Sequence, residues 1–278
     1  KFSITADTGR LTYKAIQTTV HDNDTVIVVA TDIAGNKAEQ LISILVKENL
    51  ARGFVINGEN ADDKSGHSVS TAGDVNGDGL DDLIVGAFRA SPSSKFYAGK
   101  SYVVFGKADN TAINLSAITS GTGGFVINGE NAGDFSGSSV SNAGDVNGDG
   151  LDDLIVGAYK ADPSGKSNAG KSYVIFGKAD NTAINLSAIG TGGFVINGEN
   201  EMEWSGYSAS TAGDVNGDGL DDLIVGAFQA NLNGTYSVGK SYVIFGKADN
   251  TAINLSAIAS GTGGFIINGE NFIDNSGY

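Results

Sequence analysis

Short runs of Val, Ile, Leu, Phe and Tyr recur along the chain: SVSTAGDV (Ser68 to Val75), LIVGAF (Leu83 to Phe88), KSYVVFG (Lys100 to Gly106) and FVING (Phe54 to Gly58, Phe125 to Gly129). Each is rich in β-branched or aromatic residues and bounded by Gly, Asn or Asp, the pattern of strands separated by tight turns. The set returns. F(V/I)INGEN begins at Phe54, Phe125, Phe194 and Phe265, at intervals of 71, 69 and 71 residues, and GDVNGDGLDDLIVGA begins at Gly73, Gly144 and Gly213. Four strands per repeat predict a propeller blade. A blade cannot bury both faces of its sheet alone, so neighbours must stack, and such rings close with about 4 to 8 blades. The chain is therefore read as all-β, a partial β-propeller of four-stranded antiparallel blades. Its three complete repeats are 54–124, 125–193 and 194–264, and a fourth starts at 265–278. The segment NTAINLSAI, at Asn110, Asn181 and Asn250, predicts a helical turn before the outer strand, with Leu115 and Ile118 three apart on one side.

The first fifty residues differ in kind. TVIVVATD (Thr25 to Asp32) and LISILV (Leu41 to Val46), around the turn IAGN, predict the last strands of a β-sandwich, with a domain boundary near Asn49 to Gly53. The domains expected are thus 1–50 and 51–278. The chain starts at Lys1 and stops inside a repeat, so a fragment trimmed at both ends is expected, with the remaining blades outside it.

Composition agrees with an all-β chain: 41 Gly and 2 Pro in 278 residues, without a collagen period, imply many tight turns. The net charge of −15 changes the picture more, because no basic stripe offsets it and nucleic acid or anionic lipid would be repelled. No apolar run approaches the roughly 20 residues of a membrane span. With no Cys there is neither a disulfide framework nor a thiol site. Twelve of the 32 acidic residues fall in three copies of one loop, four Asp in each.

In DVNGDGLDD the side chains of Asp74, Asn76, Asp78 and Asp82 occupy positions 1, 3, 5 and 9, with the Leu80 carbonyl at position 7. Alternate oxygens at this spacing can converge on one hard cation. The equivalents are Asp145, Asn147, Asp149, Leu151 and Asp153, then Asp214, Asn216, Asp218, Leu220 and Asp222. Calcium suits the set, since it accepts about 6 to 8 oxygens in irregular geometry, whereas magnesium prefers an octahedron and zinc prefers His or Cys. Three such ions add six charges and would bring the chain from −15 to −9. The competing reading is an Asx-rich turn between strands. Position 8, held by Asp81, Asp152 and Asp221, is read as a solvated carboxylate outside the ligand set.

Other chemistries fit poorly. An EF-hand needs Glu at position 12 and a following helix, but Val85 stands there inside a strand pattern, and a dockerin-like helical pair fails likewise. GKSNAGKS from Gly165 and GTYSVGKS from Gly234 match a phosphate loop, yet a strand pattern follows the lysine where a helix is required. His21 and His67 lie in different regions, and the equivalents of His67 are Ser138, Tyr207 and Tyr278. No serine sits in a nucleophile-elbow context, so no enzyme is expected within this chain.

The sequence DxNxDGxxD followed by DLIVGA, with SGxS before it and YVxFG after it, resembles the FG-GAP repeat of integrin α-subunit propellers over Phe54 to Tyr278. The near-identical KADNTAINLSAI segments are more similar to long bacterial surface or secreted relatives. The resemblance implies a seven-bladed ring with structural calcium in the hairpin between the first and second strands, on the face opposite ligand binding. The name-giving residues depart: Ser65-Gly66, Ser136-Gly137 and Ser205-Gly206 replace Phe-Gly, and Gly-Ala-Phe or Gly-Ala-Tyr replaces Gly-Ala-Pro. FSITADTGRL (Phe2 to Leu11) with VVATDIAGN (Val28 to Asn36) is similar to the second half of a cadherin-like sandwich. Asp32 matches a ligand position there, but KEN replaces the acidic linker, so that site is not carried over.

The function expected is a calcium-binding adhesion or interaction module of a large extracellular, secreted or cell-surface protein, with an extracellular protein or glycan as ligand. Two alternatives remain: a passive calcium-stabilised spacer, or an accessory to an enzyme outside these residues. The loops Arg89 to Ala98, Lys160 to Ala169 and Gln229 to Val238 differ most between repeats, while the calcium loops are identical. Phe96, Tyr97, Phe135, Trp204 and Tyr236 are the large side chains on that variable face that a partner could touch, unless they reflect neutral drift.

Overall fold

A computed structural model describes residues 2–4, 11–13, 25–31, 37–43 and 53–278. The chain divides into two compact units, Lys1–Gly53 and Phe54–Tyr278. In the first, β1 (Phe2–Ile4) pairs antiparallel with β2 (Leu11–Tyr13), and β3 (Thr25–Thr31) with β4 (Lys37–Ser43). The turn IAGN, Asp32 and Ile44–Val46 lie outside the described residues.

The second unit opens with β5 (Ile56–Asn57), a shorter element than FVING suggests. The first blade then follows the expected pattern, with β6 (Ser68–Gly73), β7 (Asp82–Ala87) and β8 (Lys100–Val104). After β8 come β9 (Ile113–Asn114), the short helix α1 (Leu115–Thr119) and the outer strand β10 (Gly124–Asn128). The order β6-β7-β8-β10 is antiparallel throughout. The second blade repeats this with β11 (Ser139–Gly144), β12 (Asp153–Ala158), β13 (Lys171–Ile175), β14 (Ile184–Asn185) and β15 (Gly193–Asn197). The third has β16 (Ser208–Gly213), β17 (Asp222–Ala227), β18 (Lys240–Ile244), β19 (Ile253–Asn254), α2 (Leu255–Ala259) and β20 (Gly264–Asn268). These antiparallel four-stranded sheets, in a row that does not close, are a partial propeller.

Stacking explains why the second strand of each blade is apolar without alternation: β12 is buried along its whole length, because a neighbour covers each face. Ile84, Val103, Phe125 and Ile127 of the first blade pack with Leu154, Val156, Tyr173 and Ile175 of the second. Ile155, Val174, Phe194 and Ile196 of the second pack with Leu223, Val225, Tyr242 and Ile244 of the third. The expected helical turn is present, with Leu115 and Ile118 buried against the first blade, while the middle copy is a 3-10 turn, Leu186–Ala188. The same segment also makes a pairing that the sequence pattern does not announce. Ile184–Asn185 joins β10 of the preceding blade in parallel, and Ile253–Asn254 joins β15. Side-chain bonds accompany this lacing, from Asn128 Nδ2 to Asn185 Oδ1 and from Asn197 Nδ2 to Asn254 Oδ1, each 3.1 Å.

Candidate functional site

The hairpin between the first and second strands of each blade contains the acidic loop. Gly73 ends β6 at a register shift with φ +70°, which turns the chain out of the sheet at the loop entrance. Asp74 then accepts three amides, with Gly77 N and Asp78 N on Oδ1 at 2.8 and 3.0 Å and Gly79 N on Oδ2 at 2.8 Å. Asn76 Oδ1 accepts Asp78 N at 2.8 Å, and Asp78 Oδ1 accepts Leu80 N at 2.9 Å. Asp82, the first residue of β7, is fully buried and accepts Val75 N at 3.1 Å and Gly106 N at 2.7 Å. The other two loops repeat this network around Asp145, Asn147, Asp149 and Asp153, and around Asp214, Asn216, Asp218 and Asp222.

Burial pushes the Asp82 carboxyl up to about 6 and Asp153 to about 7, against the pull of their backbone bonds. The negative charges at positions 5 and 1 add to both rises. Carboxylates 1, 5 and 9 of these loops therefore act on one another. The donor chemistry of the loop, oxygen only with three carboxylates and one amide, fits a hard divalent ion. The oxygens at positions 1, 3 and 5 nevertheless face their own backbone amides. Among the described residues no three carboxylate or imidazole side chains form a ready-made cage.

Position 8 departs from its expected role. Asp81 is exposed, but Asp152 Oδ2 accepts Asp74 N of the preceding loop at 2.9 Å, and Asp152 N donates to Asp74 O at 3.3 Å. Asp221 holds Asp145 the same way, at 2.9 and 3.1 Å. The eighth residue of one loop thus anchors the first residue of the loop before it. Sequence reading missed this because the partners lie 78 and 76 residues apart.

The phosphate-loop matches have another use. Lys171 and Lys240 open β13 and β18, where Nζ meets Glu130 Oε2 at 2.6 Å and Glu199 Oε2 at 3.0 Å. Tyr173 and Tyr242 donate to the same oxygens, and Lys100, Tyr102 and Glu59 repeat the triad. Burial raises Glu130, but its bonds with Lys171 and Tyr173 outweigh that and hold it below its ordinary value. Lys107, Lys178 and Lys247 are likewise paired, with Asp109, Asp180 and Asp249.

At the opposite end of each blade, the loops after the second and fourth strands run side by side. Phe135 N donates to Tyr97 O at 3.1 Å, and Trp204 N to Asn168 O at 3.2 Å. There aromatic rings form a row across blade boundaries. Phe88 meets Phe135 at 5.9 Å between centroids, Phe135 meets Tyr159 at 6.0 Å, Tyr159 meets Trp204 at 5.6 Å and Trp204 meets Phe228 at 5.6 Å. Tyr97 stacks on Phe135 at 5.6 Å and Phe96 lies against Tyr97 at 3.8 Å, whereas Tyr236 is exposed outside the row. Phe88, Tyr159 and Phe228 follow Gly-Ala in their repeats, so the unusual Gly-Ala-aromatic sequence was the available clue to the row.

Comparison with known proteins agrees with this architecture. The FG-GAP repeat family matches residues 65–104, 136–175 and 205–244. Integrin alpha-PS2 of Drosophila melanogaster is 30% identical over 189 residues, which is 66% of this chain and 13% of that protein. Integrin alpha pat-2 of Caenorhabditis elegans is 33% identical over 194 residues, 67% of this chain and 14% of that protein. Integrin alpha-IIb of Homo sapiens is 31% identical over 186 residues, 65% and 16% respectively. The chain thus spans less than a fifth of the length of these relatives.

Proposed function

Since residues Phe54 to Tyr278 form an integrin-like FG-GAP repeat domain, we propose that the chain is an interaction module of an extracellular or cell-surface protein, stiffened by calcium. The supporting observation is the threefold recurrence of one acidic loop with one hydrogen-bond network, tied loop to loop by Asp152 and Asp221. In the first loop Asp74, Asn76, Asp78 and Asp82, with the Leu80 carbonyl, would hold the ion. Asp145, Asn147, Asp149, Leu151 and Asp153 would serve in the second, and Asp214, Asn216, Asp218, Leu220 and Asp222 in the third. A bound cation relieves repulsion among carboxylates that burial has already made reluctant to ionise. The opposite face, with its variable loops and aromatic row, is then free for a partner. Extracellular calcium modules bind with Kd of about 0.1 to 1 mM. Calcium at one to ten times that Kd would add roughly 0.4 to 1.4 kcal/mol per site.

Calorimetric titration with calcium, with magnesium as control, is expected to give one site per loop, and calcium is expected to raise the melting temperature. A folded chain that takes up no calcium would refute the metal assignment. Beads coated with the chain should attach to a cell or matrix surface only with calcium present; calcium binding without attachment would point to a passive spacer.

A further inference from the structure

Within residues 53–278 nearly every cation is spoken for. Besides the triads and the Lys–Asp pairs, Lys64 faces Asp62, and Lys95 and Lys166 reach the carbonyl oxygens of Glu130 and Glu199. Arg89 and Lys160 are the exceptions: among the described residues neither side chain has a carboxylate or carbonyl partner. They occupy equivalent positions in successive repeats, and both lie over the aromatic row. The Arg89 guanidinium is 5.9 Å from the Tyr97 ring centre, and Lys160 Nζ is 4.9 Å from that of Phe135. The stacked Tyr97–Phe135 pair is thus flanked by the two cations left unpaired within residues 53–278 of a strongly acidic chain.

The backbone under these rings is a second, separate observation. Tyr97 has φ +54° and Phe135 φ +55°, a left-handed conformation that is unfavourable for large side chains. The repeats show the inexpensive alternative, with Asn168 at the position of Tyr97 and Asn275 at that of Phe135, both at positive φ. The turn therefore does not require an aromatic residue, and the strain accompanies presentation of the rings.

We propose that the Tyr97–Phe135 pair with Arg89 and Lys160 is a docking site for an acidic peptide segment of another protein. Rigid rings set among Ser, Gly and Asn loops, with an Arg beside them, have the composition of protein-recognition surfaces. The unpaired cations select a partner of negative charge and disfavour basic ones. A second copy of this chain is a poor occupant, because each copy carries −15.

The inference rests on the reading of this domain as an interaction module, and its test separates the two. The full chain, loaded with calcium, is titrated against a synthetic peptide rich in Asp and Glu, its Asn/Gln analogue, and polygalacturonate. The acidic peptide is expected to bind, the amide analogue to bind at least tenfold more weakly, and affinity to fall as salt rises from about 0.05 to about 0.5 M. Later repeats supply the variants: Arg89→Gln and Lys160→Gln copy Gln229 of the third, and Phe135→Asn copies Asn275 of the fourth. Each cation variant should weaken binding about two- to fivefold, and Phe135→Asn about tenfold, with the melting profile retained. Absence of peptide binding, equal affinity for polygalacturonate, or unchanged binding by the Arg89→Gln/Lys160→Gln double variant would overturn the proposal. If that double variant still attaches to a surface with calcium, the module reading survives and this site does not.

Discussion

Asp134 illustrates what burial does to a single carboxylate in this fold. It is 5% exposed and accepts Asn131 N at 3.1 Å and Asn131 Nδ2 at 3.3 Å. Burial pushes it from 3.8 up to about 6; the Asn131 amide pulls it down and the Glu130 charge adds to the rise. The folded state therefore holds this proton more tightly than the unfolded chain does. Its contribution to stability is full below pH 3.8 and is lost as pH rises through about 6. Asp134→Asn, which does not ionise, should be more stable than the parent at pH 8 by about 1 to 3 kcal/mol, with the gap closing towards pH 4. Urea denaturation across that range checks this, and a gap independent of pH would refute it. Glu130 behaves oppositely, because Lys171 and Tyr173 favour its charged form. Its contribution is present above pH 4.5 and fades as pH falls through its depressed value.

Strands and hairpin loops were legible in the sequence because their determinants are local: apolar β-branched runs, bounding glycines and Asx spacing within nine residues. The outer strand was legible too, although the repeat boundary drawn at Phe125 cuts it from the blade it completes, since β10 pairs with β8. Links between repeats were not legible. Nothing in NTAINLSAI says that Ile184 pairs with Ile127, and nothing in DGLDD distinguishes Asp152, which holds the neighbouring loop, from exposed Asp81. That contrast is an internal control. Asp152→Ala removes the carboxylate acceptor of Asp74 N and should cost about 1 to 2 kcal/mol, whereas Asp81→Ala, with no earlier loop to hold among the described residues, should cost about 0.5 kcal/mol or less. Chemical denaturation of the two variants decides it; equal losses would mean that the link between loops adds nothing.

Across the whole Phe54–Tyr278 unit, stability should be distributed as in other stacked repeats, with each blade depending on the neighbours that cover its faces. The same side chain then has different worth in different blades. Phe194 of β15 is 1% exposed because the third blade covers it, while its equivalent Phe265 of β20 is 45% exposed. On the other flank, Val140 of the second blade is 4% exposed and Val69 of the first 65%. Burial rather than residue type therefore sets the energetic order, and Phe194→Ala should cost about 3 to 5 kcal/mol against about 1 to 2 for Phe265→Ala. Urea midpoints at constant m-value give the comparison. Losses of similar size would show that each sheet is held by its own strand pairing. The predicted asymmetry would show that stacking carries the fold, so that adding a blade against β20 should raise the cost of Phe265→Ala towards that of Phe194→Ala.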